Sequence, residues 1–186
     1  MGFHEVMIMS ALYFIALVAP DEIGLKVKSW KHWMRDNFGC RAALRSPAHI
    51  TLVPPFRMTA DSEGKLKSLL NQFTATQVPF EITLNGFDTF NRKVIFVHVE
   101  HNAALSECYN KLNHYLRQEL PGLITVDTRP YHPHVTIATR DIPQGAFRSA
   151  MEHFETLSYT ALMQADRISL LKLSPARWEI VHESPF

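Results

Sequence analysis

Apolar residues recur along the chain in two rhythms. From Glu22 to Phe38 the positions Ile23, Val27, Trp30, Met34 and Phe38 lie three or four apart, the stripe of an amphipathic helix, and Gly39 supplies its stop. The same spacing returns in Leu66, Leu69, Leu70 and Phe73, with Thr59, Asp61 or Ser62 available as a cap. It appears again in Leu105, Cys108, Leu112, Tyr115 and Leu116, ahead of Pro121-Gly122, and in Phe147, Ala150, Met151 and Phe154. The pattern predicts four helices, the first over 22–38 and the third over about 103–120. Shorter runs rich in β-branched and aromatic residues predict strands at 49–53, 80–84, 94–99, 134–139, 168–173 and 178–181. The apolar segment Met7 to Ala19 is shorter than the about 20 residues a membrane-spanning helix needs, so it reads as a buried strand, with an irregular extension before Ser10. Pro54-Pro55 is expected to close the second strand, because proline gives no donor to a ladder. Gly86 and Asn91 are expected to join the third strand to the fourth.

Strand and helix are mixed without a regular parallel alternation, which predicts an α+β fold with antiparallel sheets flanked by helices. The second half repeats the plan of the first. We therefore expect two pseudo-symmetric lobes around a central cleft, in a single bilobal unit over residues 1–186. A content of 46% hydrophobic and 20% charged residues sustains a core and excludes a disordered tail or a coiled coil. Nineteen Lys and Arg against 18 Asp and Glu leave a net charge of +1, which argues against wrapping long duplex nucleic acid, since that takes many cations. A small phosphate ligand or a nucleic-acid end remains compatible with that balance. Cys40 and Cys108 are too few for a disulfide framework and lack metal-ligand spacing, so they read as core thiols of a reducing compartment. No Lys or Arg precedes Lys26 to form a charged leader, and the expected address is the cytoplasm, with no membrane partner.

The chemistry is carried by a small repeat. His49-Ile50-Thr51-Leu52 and His134-Val135-Thr136-Ile137 both read His, apolar, Thr, apolar, 85 residues apart. In a strand, alternate side chains share a face, so each motif sets His and Thr side by side and buries its aliphatics beneath. At this chain's composition chance supplies only about 0.14 such motifs, so two copies, one in each half, form a specific signal. If the lobes face each other, the motifs make one site from two halves. His suits both acid and base roles because its ordinary pKa, about 6.5, lets one ring be neutral and the other protonated near pH 7. The Thr hydroxyls can donate to phosphoryl oxygens, where charge develops.

The chain resembles the two-histidine phosphoesterase superfamily, the group of the 2′-5′ RNA ligases and RNA 2′,3′-cyclic phosphodiesterases. The resemblance rests on His49-Ile50-Thr51-Leu52-Val53-Pro54-Pro55-Phe56, on Pro133-His134-Val135-Thr136-Ile137-Ala138, and on the order of elements over about residues 10–182. Thr139 stands between Ala138 and Arg140, where many relatives place Arg directly after the Ala. The resemblance implies a metal-independent phosphoesterase without a cofactor, acting on 2′,3′-cyclic phosphates of RNA 3′ ends or small nucleotides. It implies His49 as proton donor and His134 as acceptor, a direction that the near-symmetry leaves reversible.

Residues around the motifs extend the site. Phe56 and Tyr131 are candidates to stack on a base, with core packing the alternative for Phe56. Arg57 and Arg140, with Arg129 and Arg177, are candidate phosphate contacts. Zn²⁺ on His132 and His134 is a competing use of that segment, without a third or fourth ligand in view. His98 and His101, near a strand end, read as surface residues, and Trp30, Trp33 and Trp178 as packing residues. No P-loop or dinucleotide fingerprint is present, which speaks against ATP-dependent ligation. The competing functions are a nucleotide or RNA-end binding module without turnover, and a phosphodiesterase for a small substrate such as an ADP-ribose cyclic phosphate or a 2′-5′ linked oligonucleotide. The protein is expected to act as a monomer.

Overall fold

The structure, a computed structural model, describes residues 10–125 and 129–186. Residues Met7 to Met9 of the first expected strand, and the extension before Ser10, lie outside the described residues. Eight strands and four α-helices follow in the order β1 (Ser10–Val18), α1 (Asp21–Phe38), β2 (His49–Thr59), α2 (Glu63–Thr74), β3 (Phe80–Phe90), β4 (Val94–Val99), α3 (Ala103–Glu119), β5 (His134–Thr139), α4 (Ala146–Glu155), β6 (Thr160–Ala165), β7 (Arg167–Leu173) and β8 (Trp178–Pro185). The strands form one curled antiparallel sheet in the order β6-β3-β4-β5-β2-β1-β7-β8. The two expected sheets are thus joined edge to edge, with β5 beside β2 through the pair Ile50 and Val135.

Three departures from the sequence pattern have local causes. β2 runs on through Pro54-Pro55 to Thr59, because Tyr13 pairs with Phe56 and Ile15 with Val53, so two prolines oppose the single residue Phe14 in a bulge. β3 likewise continues past Leu84, with Gly86 at φ 68° in a bulge, and the turn to β4 is made by Asn91 and Arg92, both at positive φ. β6 was not expected at all. It is an edge strand on which only Met163 and Ala165 are buried, so its apolar signal is faint.

The lobes interleave along the chain. One sheet half, β2-β1-β7-β8, is covered by α2 and α3; the other, β5-β4-β3-β6, is covered by α1 and, through Phe154 on Phe87, by α4. α1 joins β1 to β2, yet Trp30 packs edge-on against Phe87 of β3 and against Tyr159, and Trp33 stacks on His153 of α4. α3 follows β4 but lies against β2, where the buried Asn113 amide donates to the Leu52 carbonyl. Each half of the sheet therefore takes a helix from the connection between two strands of the other half. Cys40 and Cys108 are buried, and burial pushes the Cys108 thiol up to about 11. Among the described residues no helix is long and apolar enough to cross a membrane.

Candidate active site

The helices bury one face of the sheet and leave the other open. In β2 the aliphatics Ile50 and Leu52 are buried in the core while His49 and Thr51 are only half-buried; in β5 Val135 and Ile137 are buried while His134 and Thr136 are half-buried. Alternation thus brings all four motif residues to the open face. The antiparallel register through Ile50 and Val135 sets His49 opposite Thr136 and Thr51 opposite His134. Each histidine is the cross-strand neighbour of the other motif's threonine.

The two rings are held alike. His49 Nδ1 lies 2.8 Å from the Pro47 carbonyl and His134 Nδ1 lies 2.8 Å from the His132 carbonyl. A carbonyl only accepts, so Nδ1 carries the proton in both rings, and in the neutral ring Nε2 is left as the nitrogen without one. Phe14 of β1 packs on His49 at 4.7 Å between ring centroids, and Phe96 of β4 packs on His134 at 5.1 Å. Trp178 meets Phe14 edge-on, and Phe90 meets His134 edge-on. Orientation is fixed by a main-chain hydrogen bond and an aromatic wall on each side.

Electrostatics separates the two rings. Burial lowers the His49 pKa to about 4; the Pro47 hydrogen bond opposes this, and the Lys31 and His134 charges add to it. His134 is lowered as well, chiefly by burial, with the His132 hydrogen bond opposing. Lys31 stands behind His49. It is buried on α1, and its ammonium donates to the Ser46 carbonyl at 2.9 Å and at 3.5 Å to the Pro47 carbonyl, which also accepts from His49 Nδ1–H. Burial lowers Lys31 to about 8, which keeps it mostly protonated at neutral pH.

Of the flanking candidates, Phe56 turns into the core and Tyr131 reaches the main chain of a motif strand. Phe56 is buried in the core, stacked 6.2 Å from Tyr13. Tyr131 stacks on Tyr109 of α3 at 3.7 Å and donates to the Thr51 carbonyl at 3.1 Å, so it steadies the motif strand from the helix side. Arg57 lies beyond the Pro54-Pro55 bulge of β2, opposite Leu12 of β1, and Arg140 follows the end of β5; both are exposed. His132 is exposed and packs edge-on against Phe90, and among the described residues no three His, Cys, Asp or Glu side chains converge as a metal site.

One residue was missed by the sequence pattern. His98 is no surface residue: it is the cross-strand partner of His134, half-buried on the open face, and its Nδ1 is buried with no partner among the described residues. The parity of β4 carried the signal, since His98 shares its face with Phe96.

One curled antiparallel sheet carries both His-x-Thr strands to its open face. The sequence model of the 2′-5′ RNA ligase superfamily matches residues 19–176, and the chain belongs to that family. An RNA 2′,3′-cyclic phosphodiesterase of Bacillus subtilis (strain 168) is 30% identical over 130 residues, 67% of each chain. Among solved structures, TT0787 of Thermus thermophilus is similar with a TM-score of 0.68 at 16% identity, covering 94% of this chain and 97% of that one. Escherichia coli LigT in complex with 3′-AMP is similar with a TM-score of 0.64 at 20% identity, covering 96% of both.

Proposed function

We propose that this chain is a metal-independent enzyme that opens 2′,3′-cyclic phosphates at RNA 3′ ends by two-histidine acid–base catalysis, as one bilobal unit over residues 1–186. The family supports a cyclic phosphodiesterase or 2′-5′ RNA ligase-like activity, and the Bacillus relative bears the first of those names. The observation that carries the reading is the pairing at Ile50 and Val135, which lines up His49, Thr51, His134 and Thr136 on one open face.

The phosphodiester sits between the rings, its non-bridging oxygens accepting from the Thr51 and Thr136 hydroxyls. His134 Nε2 takes a proton from water as the water oxygen bonds to phosphorus. The bond from phosphorus to the ribose 3′ oxygen breaks, and His49 Nε2–H protonates that oxygen. The products are a 2′-phosphate and a free 3′-hydroxyl, with the proton moved from His49 to His134. Each proton transfer contributes about 10²–10⁴-fold.

Burial holds His49 neutral, with its pKa near 4, so the donor proton must arrive with the substrate. A unit negative charge about 4 Å away is worth about 4 kcal/mol at an effective dielectric of about 20. At about 1.4 kcal/mol per unit, that is about three pKa units, enough to bring His49 back to neutral pH. The test is incubation of a short RNA ending in a 2′,3′-cyclic phosphate, in EDTA, with the 2′- and 3′-phosphate products separated. EDTA-resistant formation of the 2′-phosphate is expected; absence of hydrolysis, or activity only on adding Zn²⁺, overturns the proposal.

A further inference from the structure

The two sides of the cleft are not equivalent. On the His134 side, His98 occupies the cross-strand position and Phe90 and Phe96 close around the ring. On the His49 side the equivalent position is Val18, and a cavity of about 400 Å³ opens there, within the range of pockets that bury small ligands. Its wall includes Val18, Pro47 (whose carbonyl holds the His49 ring) and Trp178, which packs on the same Phe14 that backs His49. The cavity therefore adjoins the reacting centre on one side.

Its chemistry is mixed. Lys28, Lys31, Arg45 and Arg177 line it against the single carboxylate Asp21, a concentration of cations in a chain whose net charge is only +1. The Arg45 Nε donates to the Ala176 carbonyl at 3.3 Å, which fixes that guanidinium at the wall while leaving its other N–H groups available. Arg177 is partly neutralised by Glu179 at 3.3 Å. Leu25 and Ile180, among the few large aliphatics left open to solvent at 67% and 44% exposure, flank the same cavity. Cations beside an indole and exposed aliphatics match a ligand that is anionic along one edge and flat and apolar along the other.

We infer that this cavity seats the nucleotide preceding the reacting end, so that a single-stranded RNA end is preferred over a mononucleotide cyclic phosphate. The inference rests on the proposed reaction, because protonation of the ribose oxygen by His49 puts the ribose, and the strand attached to it, on the His49 side of phosphorus. The preceding phosphodiester then lies against Lys28 and Arg45, and its base lies on Trp178.

The experiment measures binding of a fluorescein-labelled RNA hexamer ending in a 3′-phosphate, and of 3′-AMP in competition, for three proteins: wild type, Lys28→Gln/Arg45→Gln, and Trp178→Leu. Lys28 and Arg45 are exposed, so the double variant keeps the fold. The ratio of hexamer to mononucleotide affinity is expected to fall about tenfold in each variant. In the double variant the log–log salt slope of hexamer binding also falls by about 1.4, about 0.7 for each cation lost. An unchanged ratio in both variants overturns the inference. Hydrolysis of the cyclic-ended hexamer by wild type is scored separately: its absence overturns the proposed reaction, whereas hydrolysis with an unchanged ratio overturns only the role of the cavity.

Discussion

His49 is pulled in two directions, and the balance sets its behaviour. Burial and the Lys31 charge disfavour the protonated ring, while the Pro47 carbonyl favours it; burial dominates and leaves the pKa near 4. Replacing Lys31 by Met removes one opposing charge, so the His49 pKa should rise, as read from the ring-proton NMR titration; no change would separate the two residues. Adding 3′-AMP should raise it further, by about two to three units. The same shift bears on stability. Between about pH 4 and the ordinary value of 6.5 the unfolded chain binds the proton more readily than the folded one. The contribution of His49 is therefore complete above pH 6.5 and is lost as the pH falls through about 4. Urea midpoints should drop across that window, and His49→Phe should flatten the drop; parallel curves would contradict it. The pair of motifs was legible in the sequence because period-two alternation places His and Thr together wherever the strand lies. Phe56 and Tyr131 were not, since adjacency to a motif says nothing about which side of the sheet a ring takes.

At the scale of elements, the positions of the two histidines depend on the segments that lead into their strands. A short 3₁₀ turn at Ala42–Arg45 precedes β2, and its amides are held from the other lobe: the Asp141 carboxylate accepts from Arg41 N at 2.6 Å and Ala42 N at 2.7 Å. This acts as a cap supplied in trans along the chain, and capping carboxylates are worth about 0.5–2 kcal/mol. Asp141→Ala should lower the thermal midpoint correspondingly in calorimetry, whereas an unchanged midpoint would mean the contact is idle. Helix positions followed the apolar period closely, with α1 and α3 found within a residue of expectation. Strand ends did not, because the bulges at Pro54-Pro55 and Gly86 let β2 and β3 pass residues that ordinarily stop a ladder.

For the whole molecule, the decisive feature is the exchange of helices between the sheet halves. Where α1 and α3 dock is decided by contacts far apart in sequence, so the interleaving could not be read from periodicity. It makes each lobe incomplete without the connections of the other. Trp30 and Trp33 report on the half covered by α1, and Trp178 on the other half. Tryptophan fluorescence and far-ultraviolet circular dichroism should therefore trace one coincident urea transition. Two separated transitions would show lobes that fold independently.

The proposed reaction needs an acid–base group on each of two central strands at once, His49 on β2 and His134 on β5. The most direct measurement is the turnover of an RNA 2′,3′-cyclic phosphate end, in EDTA, by wild type, His49→Ala and His134→Ala, with folding of each verified by circular dichroism. Each single variant is expected to lose at least about 10²–10⁴-fold in kcat while remaining folded. Wild-type turnover retained by either variant would contradict the proposed reaction.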